Sequence, residues 1–230
     1  FEGRFPNWNL TVEYNPSMLE GASWWMGRLD LPTRLWDTAL IPEMSKVYNV
    51  FPPLLSLIGF AASTTWGLTG HGPTPAFDVL PLLLFGLGPL IVAYHVFRQR
   101  CGNALWATLL LTVWYAGTAM WPCIGEARKE GVHHLNHILS QMGLLIFAGE
   151  MLGRRRAWVM LIGLAVAAWS RQLTILYGIA LLAVSFPSDT QTIVAKNKNT
   201  RRKIAIVIGL IAILALPMTL NWAKFGSSFE

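Results

Sequence analysis

Residues 157–186, AWVMLIGLAVAAWSRQLTILYGIALLAVSF, decide how the chain is read. The run is too long for one straight crossing of a bilayer core, which takes about 20 residues. Ser170-Arg171-Gln172 stands at its middle. An arginine held near the bilayer centre costs on the order of 3 kcal/mol or more. The reading that avoids this cost is a helical hairpin of two short arms, with Arg171 at the turn.

Outward from this stretch, four more apolar runs occupy residues 77–97, 104–121, 135–152 and 204–220. Hydrophobic residues make up 53% of the chain and charged residues only 13%, with a mean hydropathy of +0.44. A soluble domain carries roughly 25% charged residues. The pattern predicts an all-α, polytopic membrane protein whose apolar surface faces lipid. A sixth run, 52–68, is short, begins with Pro52-Pro53 and reads as an interfacial helix. Residues 1–48 carry Trp8, Trp24, Trp25 and Trp36, with an amphipathic helix expected from Pro16 to Met26. Tryptophan-rich segments of this kind suit the membrane–water interface.

Charge sets the expected orientation. Loops holding Arg98, Arg100, Arg154–Arg156, Lys196, Lys198 and Arg201–Lys203 net +8, their only acids being Glu150 and Asp189. Residues 1–78 and 122–134, with the C-terminal tail, net −3. The positive-inside rule puts the first set in the cytosol. The chain then divides into an outer interfacial segment with amphipathic helices (1–76), a transmembrane helical domain (77–220) and the start of a further outer segment (221–230). The expected location is a bacterial inner membrane, multi-pass. The net charge of +6 lies in loops between apolar runs, so nucleic acid is not an expected partner. Cys101 and Cys123 fall on opposite sides in this topology, which excludes a disulfide between them. The chain begins at Phe1 and ends at Glu230, and it reads as a fragment of a longer protein, with a helix expected before it and more chain after.

Three groups of residues carry the resemblance to a known family. They are Asn15-Pro16 through Gly27-Arg28-Leu29-Asp30-Leu31, then Trp36-Asp37-Thr38-Ala39, then Val47-Tyr48-Asn49-Val50-Phe51-Pro52-Pro53-Leu54. With the tail Asn221–Ser227, they resemble the GT-C superfamily of membrane glycosyltransferases. The likeness is to the bacterial branch related to dolichyl-phosphate-mannose protein mannosyltransferases and aminoarabinose transferases. The resemblance implies a GT-C-like fold and transfer of a sugar, with inversion, from a polyprenyl-phosphate-linked donor to an acceptor at the outer face. The acceptor is not specified. The family's usual Asp-Glu pair near the start of the loop is absent, and the local sequence is Glu13-Tyr14-Asn15-Pro16.

Such a transfer needs a carboxylate to deprotonate the acceptor hydroxyl. It also needs cations or a metal to hold the leaving phosphate. Glu13, nearest the family's catalytic position, and Asp37, in an aromatic context, are the candidate bases. The other outer acids, Glu20, Asp30 and Glu43, read as solvated loop residues. Arg28, Arg34, Lys46 and Arg171 are the candidate phosphate binders, Arg171 foremost because an arginine in an apolar stretch is functional by default. Snorkelling to a headgroup is its alternative role. His133 and His137, four apart on one helix face, are candidate ligands of a divalent metal ion. Their alternative is a polar helix start. A rival from another class is a non-catalytic multi-spanning protein: a transporter, a lipid flippase or a partner subunit. No internal repeat is present, which disfavours a transporter built from repeated halves. Walker, dinucleotide-binding and Ser-His-Asp patterns are missing too, leaving nucleotide chemistry without support.

Overall fold

The computed structural model describes residues 16–32, 34–35, 38–42, 45–68, 87–118, 132–185 and 193–226. Helix α1 (Pro16–Trp25) leads to an antiparallel hairpin of β1 (Thr38–Ile41) and β2 (Lys46–Asn49), then to α2 (Leu54–Leu68). Helices α3 (Gly88–Cys101), α4 (Ala104–Gly117), α5 (Val132–Met151) and α6 (Ala157–Ser170) come next. A 3-10 turn (Gln172–Leu176), α7 (Tyr177–Ser185) and the long α8 (Ile193–Phe225) complete the order.

Local chemistry explains several boundaries. Gly27 takes a left-handed φ of 72°, and the Arg28 and Gly27 amides donate back to the Ser23 and Trp24 carbonyls. That pattern closes α1 with a Schellman-type cap, for which glycine is the natural residue. The Asn103 side chain accepts from the Leu105 amide at 2.8 Å and starts α4. At Arg171 the chain leaves the helix, with an extended φ of −147°. Beyond the 3-10 turn, Leu181 of α7 packs with Met160 and Leu164 of α6, so α7 returns along α6.

Small residues set the helix spacing. A Cβ on Gly143 of α5 would lie 2.5 Å from the Gly163 carbonyl oxygen of α6, and one on Gly21 of α1 would run into the Phe60 amide of α2. Backbones therefore touch at both places, and side chains have no room there. One apolar cluster joins Leu55 of α2 to Leu135, Ile138 and Leu139 of α5. A second joins Phe147, Met160, Leu164 and Leu181 to Ile206 and Ile213 of α8.

The long helix carries its own anchor. Pro217 lies inside α8 and has no amide proton, so the carbonyl of Ile213 lacks its helical donor. The Trp169 indole N–H fills that place, donating to the Ile213 oxygen at 2.8 Å.

The expected all-α, polytopic GT-C-like architecture is corrected here. Among the described residues one helix segment, Arg202–Phe225 of α8, is long and apolar enough to cross a membrane. Its 24 residues span about 36 Å. The expected spans 77–97, 104–121, 135–152 and the arms of 157–186 give no second such helix among the described residues. Hydropathy summed along the chain overlooks where helices end. The helices Ala104–Gly117 and Ala157–Ser170 are 14 residues each, about 21 Å long. The 20-residue α5 is polar through its first half, with His133, His134, Asn136, His137, Ser140 and Gln141. The described part of 77–97 runs on to Arg98 and Arg100 inside α3. The two-stranded sheet is a second departure from an all-α fold.

Candidate functional site

A cavity of about 480 Å³ lies where three segments meet. Val50, Phe51 and Pro52 supply one wall, directly after β2. Asn136 and His137 come from the start of α5. Ser170 to Thr174 and Tyr177 come from the break between α6 and α7. The broken helix matters, because it turns residues 171–174 toward the start of α5 instead of along α6.

Arg171 stands at this break and is exposed. Its Nη1 lies 3.0 Å from Nδ1 of His137. A guanidinium has donors only, so Nδ1 accepts and the imidazole proton sits on Nε2. The Arg171 carbonyl accepts from the Thr174 amide and hydroxyl at 3.0 and 2.7 Å, which fixes the turn. Asn136 is 4% exposed, and its Oδ1 has no hydrogen-bond partner among the described residues. Such an atom costs about 1–3 kcal/mol if left unsatisfied, and here it is sealed from solvent behind the cavity wall. Tyr177 adds an aromatic surface, edge-on to Phe147 at 6.4 Å.

A second polar cluster lies against the same wall but is sealed. Glu20 of α1 is fully buried. Its Oε2 accepts from Asn49 Nδ2 at 2.8 Å and Ser56 Oγ at 2.5 Å. Its Oε1 pairs with the ammonium of Lys224, itself buried near the C-terminal end of α8. Lys224 also donates to the Asn49 carbonyl at 3.2 Å, and Asn49 Nδ2 reaches Ser17 Oγ at the same distance. Tyr48 meets Phe225 edge-on at 5.6 Å. Together these contacts fasten α1, β2 and α2 to the end of α8. Since Asn49 precedes the cavity wall residue Val50, the cavity sits beside that same end. In the sequence Glu20 reads as a solvated acid. The small residues Ser17, Gly21 and Ser23 around it are the available sign of a buried helix face, but nothing local points to Lys224.

Of the remaining sequence candidates, those whose side chains are described, Arg28, Arg34 and Lys46, lie away from the cavity lining. Glu13 and Asp37 lie outside the described residues. The neighbour of Asp37, Thr38, pairs across the hairpin with Asn49, one residue from the cavity wall. Arg28 is exposed and bonds Asp30 at 2.6 Å. That hydrogen bond, above all other influences, holds the Asp30 carboxyl below the ordinary carboxylate range. Lys46 is exposed at the turn end of the hairpin, opposite Ile41, at the other end of β2 from Asn49. Of the four expected phosphate binders, only Arg171 lines the cavity. His133 lies in the first turn of α5, its side chain outside the described residues. Of the expected metal ligands, only the His137 side chain is among the described residues. Among the described residues no three His, Cys, Asp or Glu side chains gather, and His137 Nδ1 already faces a guanidinium, which repels a cation.

Compared with known proteins, the chain matches no family model, no curated protein and no solved structure.

Proposed function

We propose that the protein is a membrane-associated glycosyltransferase that takes a sugar from a polyprenyl-phosphate-linked donor, with α8 crossing the bilayer and the donor phosphate held at Arg171. The observation that carries this reading is the Arg171–His137–Asn136 wall, a cationic and polar surface beside the C-terminal end of the one long apolar helix among the described residues. Only 11% of the most apolar window of that helix is buried in the protein, whereas the core helix of a water-soluble domain is mostly covered. A lipid headgroup lies at such a helix end, and arginine suits phosphate through paired hydrogen bonds. The N-terminal resemblance to lipid-linked glycosyltransferases points the same way.

In the proposed step, Asp37 takes the acceptor hydroxyl proton and the acceptor oxygen attacks the anomeric carbon. The bond from that carbon to the phosphate oxygen breaks, and polyprenyl phosphate leaves with the electron pair, its charge stabilised by Arg171. Asp37 is preferred to Glu13 because of the pairing between Thr38 and Asn49.

Full-length protein in liposomes, supplied with radiolabelled polyprenyl-phosphate sugars, tests this. Arg171→Ala is expected to lower turnover about a hundredfold, the scale for losing one group that stabilises developing charge. Asp37→Asn should abolish transfer while leaving donor binding intact, and Glu13→Gln should retain it. Unconsumed and unbound donor would overturn the reading. Donor bound at Arg171 without turnover would favour a non-catalytic lipid-binding subunit. That second reading draws on the described cavity wall, which includes no carboxylate.

A further inference from the structure

The opposite end of α8 gathers a different set of charges. Arg98 and Arg100 end α3, Arg154 and Arg155 lie in the turn between α5 and α6, and Arg202 lies where the apolar part of α8 begins. All five are exposed. Two hydrogen bonds knit the three segments into one patch. Arg100 Nη1 donates to the Leu152 carbonyl at 2.9 Å, and Arg202 Nη2 donates to the Arg155 carbonyl.

The described acid in this region is already used. Glu150 accepts from the Arg156 amide at 2.7 Å, from its Nε at 3.0 Å and from its Nη2 at 2.9 Å. That fork closes the turn and neutralises Arg156. Arg154 feels the same carboxylate only at longer range, and none of the other five arginines forms a salt bridge to a described acid. Arg98 and Arg154 donate no side-chain hydrogen bond to any described residue.

Next to the arginines, each element presents apolar, exposed side chains. Leu105 and Trp106 open α4 at 66% and 60% exposure, Trp158 opens α6 at 62%, and Ile204 and Ile208 of α8 stand at 54% and 61%. The Arg156 guanidinium lies 5.7 Å from the Trp158 ring centre. A layer of cations beside a layer of exposed aliphatic and aromatic side chains is the profile of a lipid interface. Bases stack on aromatic rings, but the exposed aliphatic side chains Leu105, Ile204 and Ile208 suit lipid.

We infer that this end of the protein binds the phosphates of anionic phospholipid headgroups. Such binding is independent of sugar transfer. Arg98 and Arg154, whose side chains make no hydrogen bond to a described residue, can turn to the headgroup, while Arg100 and Arg202 keep the patch assembled.

The test uses the full chain reconstituted in vesicles with brominated phosphatidylglycerol or brominated phosphatidylcholine, read by quenching of tryptophan fluorescence. Phosphatidylglycerol is expected to quench preferentially, and the preference should fall as salt rises. Arg98→Gln and Arg154→Gln should each lower the relative affinity about fivefold, without loss of folded protein. Arg34→Gln, an exposed arginine of the N-terminal segment, serves as the control for net charge and should leave the preference unchanged. Equal quenching by the two lipids would overturn the inference, as would an Arg34→Gln effect as large as that of Arg98→Gln. Indifference to lipid charge together with tight binding of a fluorescent oligonucleotide would overturn it in favour of nucleic acid.

Discussion

The two ends of α8 handle charge in opposite ways. At the Arg202 end, arginines from three segments stand in the open, and the one described acid, Glu150, is matched by a half-exposed Arg156. At the Lys224 end, a single lysine and a single glutamate are sealed from solvent and surrounded by Ser17, Asn49 and Ser56. Glu150 is itself buried, but its partner guanidinium reaches water, so the pair is partly screened. A buried pair behaves differently: removing one partner strands the other as an uncompensated charge. The first end is therefore built to attract something outside the molecule, and the second to hold the N-terminal segments against the long helix.

The largest predicted effect breaks this contrast directly. Lys224→Met should destabilise the protein by about 3–5 kcal/mol, seen as a lower midpoint in thermal unfolding of the purified protein. Combining it with Glu20→Leu should recover much of the loss, since no charge is then stranded. The corresponding double removal at the other end, Glu150→Gln with Arg156→Gln, also strands no charge and should cost less than Lys224→Met alone. If the Lys224→Met loss were no larger, the two ends would not differ as described.

The next effect lies along the shaft between the ends. Gly143→Val forces a side chain into the Gly163 and Ala167 backbone and should cost about 1–3 kcal/mol or more, again by thermal unfolding. A smaller effect concerns the Trp169 anchor. Trp169→Phe should cost about 1 kcal/mol. In a Pro217→Ala background the helix recovers its own donor to Ile213, so the same substitution should cost less. A double-mutant cycle that showed no coupling would contradict the anchor.

How much of this is legible in the sequence depends on how local each feature is. The break at Arg171 and the stop at Gly27 rest on one charged residue in an apolar run and on one glycine, and both signals stand in the primary structure. The Glu20–Lys224 pair joins opposite ends of the chain, and no pattern in either neighbourhood announces the other. The multi-spanning expectation rests on counting apolar residues in 104–121 and 135–152. Such a count has no means of seeing that α4 stops at Gly117 or that the first half of α5 brings polar residues to a cavity. His137 reads as a metal ligand from its spacing with His133, but its partner, Arg171, lies beyond the end of another helix. Arg171 itself is legible because burying an arginine is costly wherever it occurs. The asparagine that shares its cavity, Asn136, carries no sequence signal that sets it apart from the other polar residues in the first half of α5.

The smallest predicted effect is at the exposed end. Hydrogen bonds from Arg156 hold the Glu150 carboxyl below the ordinary carboxylate range, against the opposing pull of burial. A depressed folded pKa means that this contribution is complete above the unfolded value and is lost as pH falls through the folded one. Thermal midpoints followed down through the acid range should show a modest decline from this pair, and Arg156→Gln should remove that part of the slope.

The central claim is that α8 separates its two ends across a membrane. Single cysteines at Gln99, beside the basic patch, and at Ser45, in the hairpin docked on the Lys224 end, test it most directly in a background where Cys101 and Cys123 are serine. Sealed vesicles of uniform orientation are treated with a membrane-impermeant maleimide, before and after permeabilisation. With α8 across the bilayer, one position labels in intact vesicles and the other only once the membrane is opened. Equal labelling of both positions in intact vesicles would contradict it.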